Sequence, residues 1–407
     1  METSNDRRAR RGGRSTMPSV GMVGGGQLAR MTHQAAIPLG QSLRVLAVAE
    51  TDPAAVVASD VAFGHHTDLE ALRSFARDSD VLTFDHEHVP GEHLRALEAE
   101  GVTVHPGSAA LAHAQDKLVM RRRLAELGVA GPAFAEVTSP ADLVAFGEEH
   151  GWPCVLKAAR GGYDGRGVWM VDTREDGAAL VAELLAAGTP LLVEERVDLH
   201  RELAALVARS PFGQGGAWPV VETVQRDGIC VEVLAPAPGL TEGQAAQAQE
   251  LAFTIASALG VVGVLAVELF ETRDGRLLVN ELAMRPHNSG HWTIEGSRTS
   301  QFEQHLRAVL DYPLGATDLA APAVVMANVL GGDPVPEMTM DERVHHLFAR
   351  YPDVKIHLYG KEERPGRKIG HVTALGADPD ATRGRAGQAA AWLRDARWPD
   401  GHDIHGT

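Results

Sequence analysis

Between Val279 and His291 the chain reads Val-Asn-Glu-Leu-Ala-Met-Arg-Pro-His-Asn-Ser-Gly-His, and Glu268 stands thirteen residues before Glu281. Groups that bind cations and anions here follow directly on an apolar, strand-like run. Leu277 to Val279 reads as a strand returning on Val264 to Phe270 through a turn at Asp274-Gly275, an arrangement that can bring Glu268 and Glu281 close across the hairpin. Two facing carboxylates suit a hard cation. Mg²⁺ takes one or two carboxylates and leaves its other positions to water and phosphate oxygens, so the pair suggests a nucleoside triphosphate site. Taken alone, the segment also reads as a hairpin with two solvated glutamates.

Upstream, Val155-Leu156-Lys157 leads into Ala158-Ala159-Arg160-Gly161-Gly162-Tyr163-Asp164-Gly165-Arg166-Gly167-Val168, a short strand, a glycine-rich loop and the start of a second strand. Four glycines in the seven positions from Gly161 to Gly167 let backbone N–H groups approach an anion with no Cβ in the way. A flexible hairpin tip is the plainer alternative. The Gly-Lys-Ser/Thr run and following helix of a P-loop are both missing. Lys157, at the end of the preceding strand, is placed to neutralise phosphate as a point charge. A third element, Leu191 to Val197, is an apolar strand running into a linker, with Glu202 beyond it; such a hinge can offer backbone groups to an adenine edge, and a carboxylate can bond ribose hydroxyls.

Taken in order, these elements resemble the ATP-grasp ligases. Within them, Gly161 to Gly167, Asn280-Glu281-Leu282-Ala283, Arg285-Pro286-His287-Asn288-Ser289-Gly290-His291 and Arg364 to His371 are similar to the signatures of the 5-(carboxyamino)imidazole ribonucleotide synthase family of purine biosynthesis, and the likeness runs from about Ser19 to about Leu393. It implies ATP and bicarbonate as co-substrates and Mg²⁺, with Mn²⁺ as an alternative. It places Lys117, Lys157, Gly162 to Val168 (with Tyr163, Asp164, Gly165, Arg166 and Gly167), Glu194, Glu195, Arg196, Val197, Glu202 and Asn280 around ATP, and the metal on Glu268 and Glu281. Arg285, His287, Asp164 and Lys361 take catalytic roles by the same likeness. Gly26, Gln27, Leu28, Glu87, Tyr163, Arg166, Asn288, Lys361, Arg367 and Lys368 face the ribonucleotide, with the basic cluster on its 5′-phosphate. The chain departs from the usual pattern at Ala29, where glycine is usual, at Met284, where proline is usual, and at Lys117, where some members carry arginine.

The elements that must position these groups follow an α/β and α+β plan. Segment 1–17 is a basic tail with five arginines and no apolar period, which reads as disordered. Residues 18–113 alternate short apolar runs with helical stretches and form a doubly wound parallel-sheet domain: strands at Val20 to Val23, Leu43 to Val48, Val81 to Phe84 and Val102 to Val104, helices at Gln27 to Ala36 and Glu92 to Glu100. Residues 114–316 form the ATP-grasp domain, with helices from Lys117 to Leu127 and Gly239 to Leu259. Residues 317–398 form a small C-terminal domain packing on the substrate site, with strands near Ala323 to Leu330 and Ile369 to Ala374, and 399–407 is a tail.

A net charge of −16 argues against nucleic acid or an anionic membrane as partner, because both need clustered Lys and Arg. Any phosphate site must be local. Cys154 and Cys230 are the only cysteines and read as buried thiols, and no apolar run is long enough for a membrane span, so a cytoplasmic enzyme is expected. A homodimer is expected, its product passing to the mutase that uses it. Competing classes remain. A formyl-transferring ligase on glycinamide ribonucleotide shares the scaffold. Gly24-Gly25-Gly26-Gln27-Leu28-Ala29 followed by Glu50 fits a nicotinamide-dependent dehydrogenase. A nucleotide sensor has no need of the Glu268–Glu281 pair. His86 and His88 invite a metal reading, but lack a third nearby ligand.

Overall fold

The computed structural model describes residues 17–162 and 166–402. Tyr163, Asp164 and Gly165, like the basic tail to Thr16, lie outside the described residues.

The N-terminal unit is a parallel sheet in the order β3-β2-β1-β4, from β1 (Ser19–Val23), β2 (Ser42–Ala47), β3 (Val61–Phe63) and β4 (Val81–Phe84). Alternation along the strands feeds two cores. Val20, Met22 and Val81 pack with α1 (Gln27–Ala36) and with Phe302 and Leu306 of α10 (Gln301–Val309), while Val23, Leu82 and Phe84 pack with Leu72 and Phe75 of α2 (Leu69–Ala76) and Leu94 and Leu97 of α3 (Gly91–Ala99). The inward-facing residues on both faces explain why these strands are apolar nearly throughout. Two details differ from the sequence reading. Val61–Phe63 forms a third edge strand that its short, mixed sequence did not announce. Val102 to Val104 forms no strand: only Val104 makes an isolated parallel bridge, to Leu82.

After α4 (Ser108–Gln115), Asp116 caps α5 (Lys117–Glu126), its carboxylate accepting from the N–H groups of Leu118 and Val119 at 2.9 and 3.1 Å. Two antiparallel sheets follow. The smaller, in the order β5-β8-β6-β7, comprises β5 (Phe134–Val137), β6 (Cys154–Ala158), β7 (Val168–Val171) and β8 (Leu191–Glu195), backed by α6 (Pro140–His150) and α7 (Arg174–Ala186). The glycine-rich segment joins β6 to β7.

The larger sheet has nine strands. Its central path begins with β14 (Leu277–Ala283), β13 (Gly263–Thr272), β9 (Leu199–Arg209), β11 (Val221–Arg226) and β12 (Ile229–Ala235), with β10 (Gly215–Ala217) beside β9. It continues without a break into β15 (Ala323–Leu330), β17 (Lys368–Gly376) and β16 (Lys355–Leu358). The C-terminal segment is thus joined by a strand ladder, β12 to β15, and buries its own face under α11 (Met340–Arg350) and α12 (Pro379–Asp395). Helix α8 (Glu242–Ala258) covers the opposite part of the sheet through Ala248, Ala252 and Ile255, three residues shorter at its start than the pattern from Gly239 suggests. Among the described residues no helix is long and apolar enough to cross a membrane.

Candidate active site

The β13–β14 hairpin turns at Asp274 and Gly275 and sets Glu268 directly opposite Glu281. Its register slips there. Glu268 faces Glu281 but Leu269 faces Val279, so Asn280 is an extra residue on β14. On a regular strand Asn280 and Glu281 would point to opposite faces; the bulge lets both line one cleft. That cleft, of about 950 Å³, lies between the two antiparallel sheets and is lined also by Lys117, Lys157, Gly162, Arg166, Val168, Glu194, Glu195, Arg196, Val197 and Glu202.

One wall is held by a buried ion network. Glu194 receives Arg121 Nε at 2.6 Å on one oxygen and lies 2.7 Å from Lys157 Nζ with the other. Arg121 also donates to the carbonyls of Val279 and Asn280, at 2.6 and 2.8 Å. Burial works to raise the Glu194 carboxyl, but Lys157 and Arg121 overcome it and hold the carboxyl below its usual range. Both oxygens of the Glu194 side chain are therefore engaged inside the protein. Lys157 reaches Asn280 Oδ1 at 3.3 Å, and Asn280 Nδ2 approaches Glu268 at 3.4 Å. Arg121, which the sequence reading passed over, ties β8, β14 and α5 together. Its signal was spacing: Leu118, Arg121 and Leu124 share one buried stripe of α5.

Across the cleft, Glu202 on β9 is Cα-paired with Phe270 and Thr223. Burial first, then the charge of Glu268, pushes its carboxyl up to about 7. Glu268 goes the other way. Burial tends to raise it, but the hydrogen bond from His287 and the charges of His287, Lys117 and Lys368 leave it below the usual carboxylate range. His287 Nε2 lies 3.3 Å from Glu268, while its Nδ1 lies 2.8 Å from Ser289 Oγ and 3.3 Å from Ser289 N. Lys117 pairs with Glu281.

The donor set fits a hard divalent cation. Two carboxylates face one another across a bulge, and both already attract cationic groups. Among the described residues no group of three or more His, Cys, Asp and Glu is placed to hold a metal ion.

A second cleft, of about 680 Å³, opens toward the N-terminal sheet and is lined by Gln27, Leu28, Asp85, Glu87, Arg160, Arg285 and Tyr359. It shares Lys117, Gly162, Glu268, Glu281, His287, Asn288 and Lys368 with the first. Arg285 donates from Nε to Glu87 at 2.6 Å; burial opposes its charge, but Glu87, Asp85 and Glu281 hold it above its ordinary value. Lys361 lies 5.7 Å from the Tyr359 ring, and Arg367 donates to the Glu362 carbonyl at 3.3 Å. Of the basic cluster, only Lys368 lines the clefts. Gly26 and Gly167 do not line them either.

The glycine turn before α1 is filled from within. Asp85 accepts from Gly26 N–H at 2.7 Å and Ala29 N–H at 2.9 Å, so the amides that a pyrophosphate would need are already engaged. His86 and His88 stack with each other and near His66, their rings 4.6 to 6.5 Å apart. Burial and the neighbouring rings hold His66 and His86 down at about 4, which keeps both neutral at pH 7.

Two clefts meeting over paired carboxylates, one of them under a glycine-rich hairpin, define an ATP-grasp ligase. The ATP-grasp domain description matches residues 122–302, a ribonucleotide synthetase pre-ATP-grasp domain residues 17–115, and the phosphoribosylaminoimidazole carboxylase C-terminal domain residues 324–385. The chain is 64% identical over 388 residues to the N5-carboxyaminoimidazole ribonucleotide synthase of Mycobacterium tuberculosis strain H37Rv, covering 95% of this chain and 90% of that one. It is 51% identical to the enzyme of Corynebacterium ammoniagenes, over 94% of each. The N5-carboxyaminoimidazole ribonucleotide synthetase structure from Thermus thermophilus matches with a TM-score of 0.81 at 37% identity, over 92% of this chain and 98% of that one. The N5-carboxyaminoimidazole synthase of Aspergillus clavatus, solved with ADP and 5-aminoimidazole ribonucleotide, matches with a TM-score of 0.83 at 32% identity, over 92% and 98%. The chain belongs to the N5-carboxyaminoimidazole ribonucleotide synthase family.

Proposed function

We infer that the protein joins bicarbonate to the exocyclic amine of 5-aminoimidazole ribonucleotide, with ATP cleaved to ADP and phosphate, in purine biosynthesis. The observation that carries this reading is the shared floor of the two clefts, where Glu268, Glu281, His287, Asn288 and Lys368 face both a nucleotide-sized space and a second-substrate space.

Bicarbonate is a weak electrophile, so an oxygen of it first takes the γ-phosphoryl group, releasing ADP and giving carboxyphosphate. Carboxyphosphate then either meets the amine directly or releases CO₂ beside it; by either course the C–O bond to phosphate breaks, the amine nitrogen bonds to the carboxyl carbon, and the amine proton leaves. Lys117 and Lys157 neutralise the phosphates of ATP, residues 162–168 cover them, the backbone from Glu194 to Val197 holds adenine, and Glu202 takes the ribose hydroxyls. Mg²⁺ on Glu268 and Glu281 would neutralise phosphoryl charge when bound. Arg285 offers a planar donor edge to the trigonal carboxyl group, and His287, at the junction of the clefts, moves the amine proton toward the departing phosphate. Gln27, Leu28 and Glu87 bound the ribonucleotide side. Asn288, Arg166 and Lys368 hold the ribonucleotide from the cleft walls, and for Lys361, Arg367, Tyr163 and Asp164 the family likeness alone supports a part in the site. The enzyme works in the cytoplasm as a homodimer and hands its product to the mutase that follows.

ATP turnover with 5-aminoimidazole ribonucleotide, measured with and without bicarbonate, tests the reaction; turnover dependent on formate instead would overturn it. Glu281→Gln replaces a carboxylate with a neutral amide and is expected to lower divalent-cation-dependent ATP cleavage about a hundredfold or more while leaving the thermal midpoint in place. Wild-type turnover in that variant would remove Glu281 from the metal.

A further inference from the structure

Asn328 is the one polar side chain in the apolar strand Ala-Val-Val-Met-Ala-Asn-Val-Leu of β15, and it is 5% exposed. A buried amide persists in such a run only when its hydrogen bonds are met. Here they are met by two separate segments that line the clefts. Asn288 Nδ2 donates to Asn328 Oδ1 at 3.0 Å, and Asn328 Nδ2 donates back to Asn288 Oδ1 at 2.8 Å. The same Asn328 nitrogen donates to the carbonyl of Cys230 at 2.9 Å. Asn288 opens the short 3₁₀ turn Asn288–Gly290 immediately after His287 and lines both clefts, and Cys230 lines the nucleotide cleft.

An isolated carboxamide on a turn can rotate by half a turn and exchange its donor and acceptor edges. The reciprocal pair removes that freedom: each amide donates one N–H to the other's oxygen, and rotating either one alone sets like against like. One N–H and one oxygen site of Asn288 are consumed, which fixes the edge left to face the clefts. We propose that Asn328, from the C-terminal part of the chain, is a positioning residue that fixes the amide orientation of Asn288 at the junction of the clefts, and so sets the affinity for 5-aminoimidazole ribonucleotide without touching it. The proposal rests on the reading of Asn288 as a ribonucleotide-binding residue given above.

A double-mutant cycle on the full-length protein separates the two. Asn328→Ala is expected to raise the KM for 5-aminoimidazole ribonucleotide about tenfold, the value of one or two neutral hydrogen bonds, with the KM for ATP changed less than twofold. Asn288→Ala should give a similar rise, and the double variant should be no worse than Asn288→Ala alone. Asn328→Asp, which keeps the shape and the acceptor but cannot donate to Asn288 or Cys230, should repeat the KM effect, and serves if the alanine variant fails to fold. Effects that multiply in the double variant, or a fall in kcat and thermal midpoint with KM unmoved, would make Asn328 a structural residue only and overturn the proposal. If Asn288→Ala alone leaves both KM values unchanged, the ribonucleotide reading of Asn288 falls first, and the proposal with it.

Discussion

Two glycine-rich turns in this molecule look alike in sequence and differ at their first glycines. The first, Gly24-Gly25-Gly26, ends a parallel strand and opens a helix; the second, Gly161 to Gly167, joins two antiparallel strands, and its Gly162 and Arg166 line the larger cleft. In the first the glycines make room for the protein itself. A Cβ on Gly26 would sit 2.2 Å from Asp85 Oδ2, and one on Gly24, at φ +106°, would sit 2.8 Å from Asp85 Cβ. In the second turn a Cβ on Gly162 would sit 2.8 Å from the Arg166 carbonyl oxygen, but at Gly161, φ +78°, a Cβ would meet nothing within 4 Å. Small residues before a helix therefore mark close approach by something, and only the structure says whether that is a ligand or the chain's own carboxylate.

The contrast can be broken at its strongest point by Gly26→Ala. Crowding the Asp85 carboxylate inside a packed sheet is expected to cost roughly 1–3 kcal/mol or more, read as a lower midpoint in urea unfolding. Wild-type stability there would mean that Asp85 yields easily and the turn is open to ligands after all. On the nucleotide side, Glu202 sharpens the comparison through pH. Its carboxyl is pushed up to about 7, so it is neutral below that pH and becomes a stronger ribose acceptor above it. The KM for ATP should fall about threefold to tenfold as pH rises through 7, and Glu202→Gln should flatten the profile. Because the folded state holds this proton more tightly than the unfolded chain, the same group's contribution to stability is present at low pH and lost as pH rises toward and through 7. A profile unchanged by Glu202→Gln would remove the carboxylate from the ribose. The smallest effect belongs to Gly161→Ala, where backbone strain of about 1 kcal/mol is expected with no clash, together with a severalfold higher KM for ATP. A stability loss as large as that of Gly26→Ala would erase the distinction between the turns.

The sequence carried the periodic elements and the order of the chemical groups. Helix α1 follows the Gln27 to Ala36 pattern, and the Glu268–Glu281 hairpin follows its turn signal, because both depend on neighbours close in the chain. It did not carry the bulge at Asn280, which exists only relative to the register of β13. Arg121 lay hidden in the basic run Arg121-Arg122-Arg123, although only the first faces inward. Asn328 was visible as a lone amide in an apolar strand, but its partner is forty residues away in sequence. The basic cluster Lys361, Arg367 and Lys368 read as a unit, yet only Lys368 stands on β17 and lines the clefts, while the other two lie in the segment before the strand.

The unbroken ladder from β12 to β15 has a consequence for how the molecule is made. During synthesis from the N-terminus, the strand Ile-Cys-Val-Glu-Val-Leu-Ala is complete nearly ninety residues before Ala323 arrives to pair with it. Until then its hydrogen-bonding edge is open, and such an edge is a template for pairing with another chain. The growing chain thus carries an incomplete sheet with an exposed seam, and the later β15 acts as its closure.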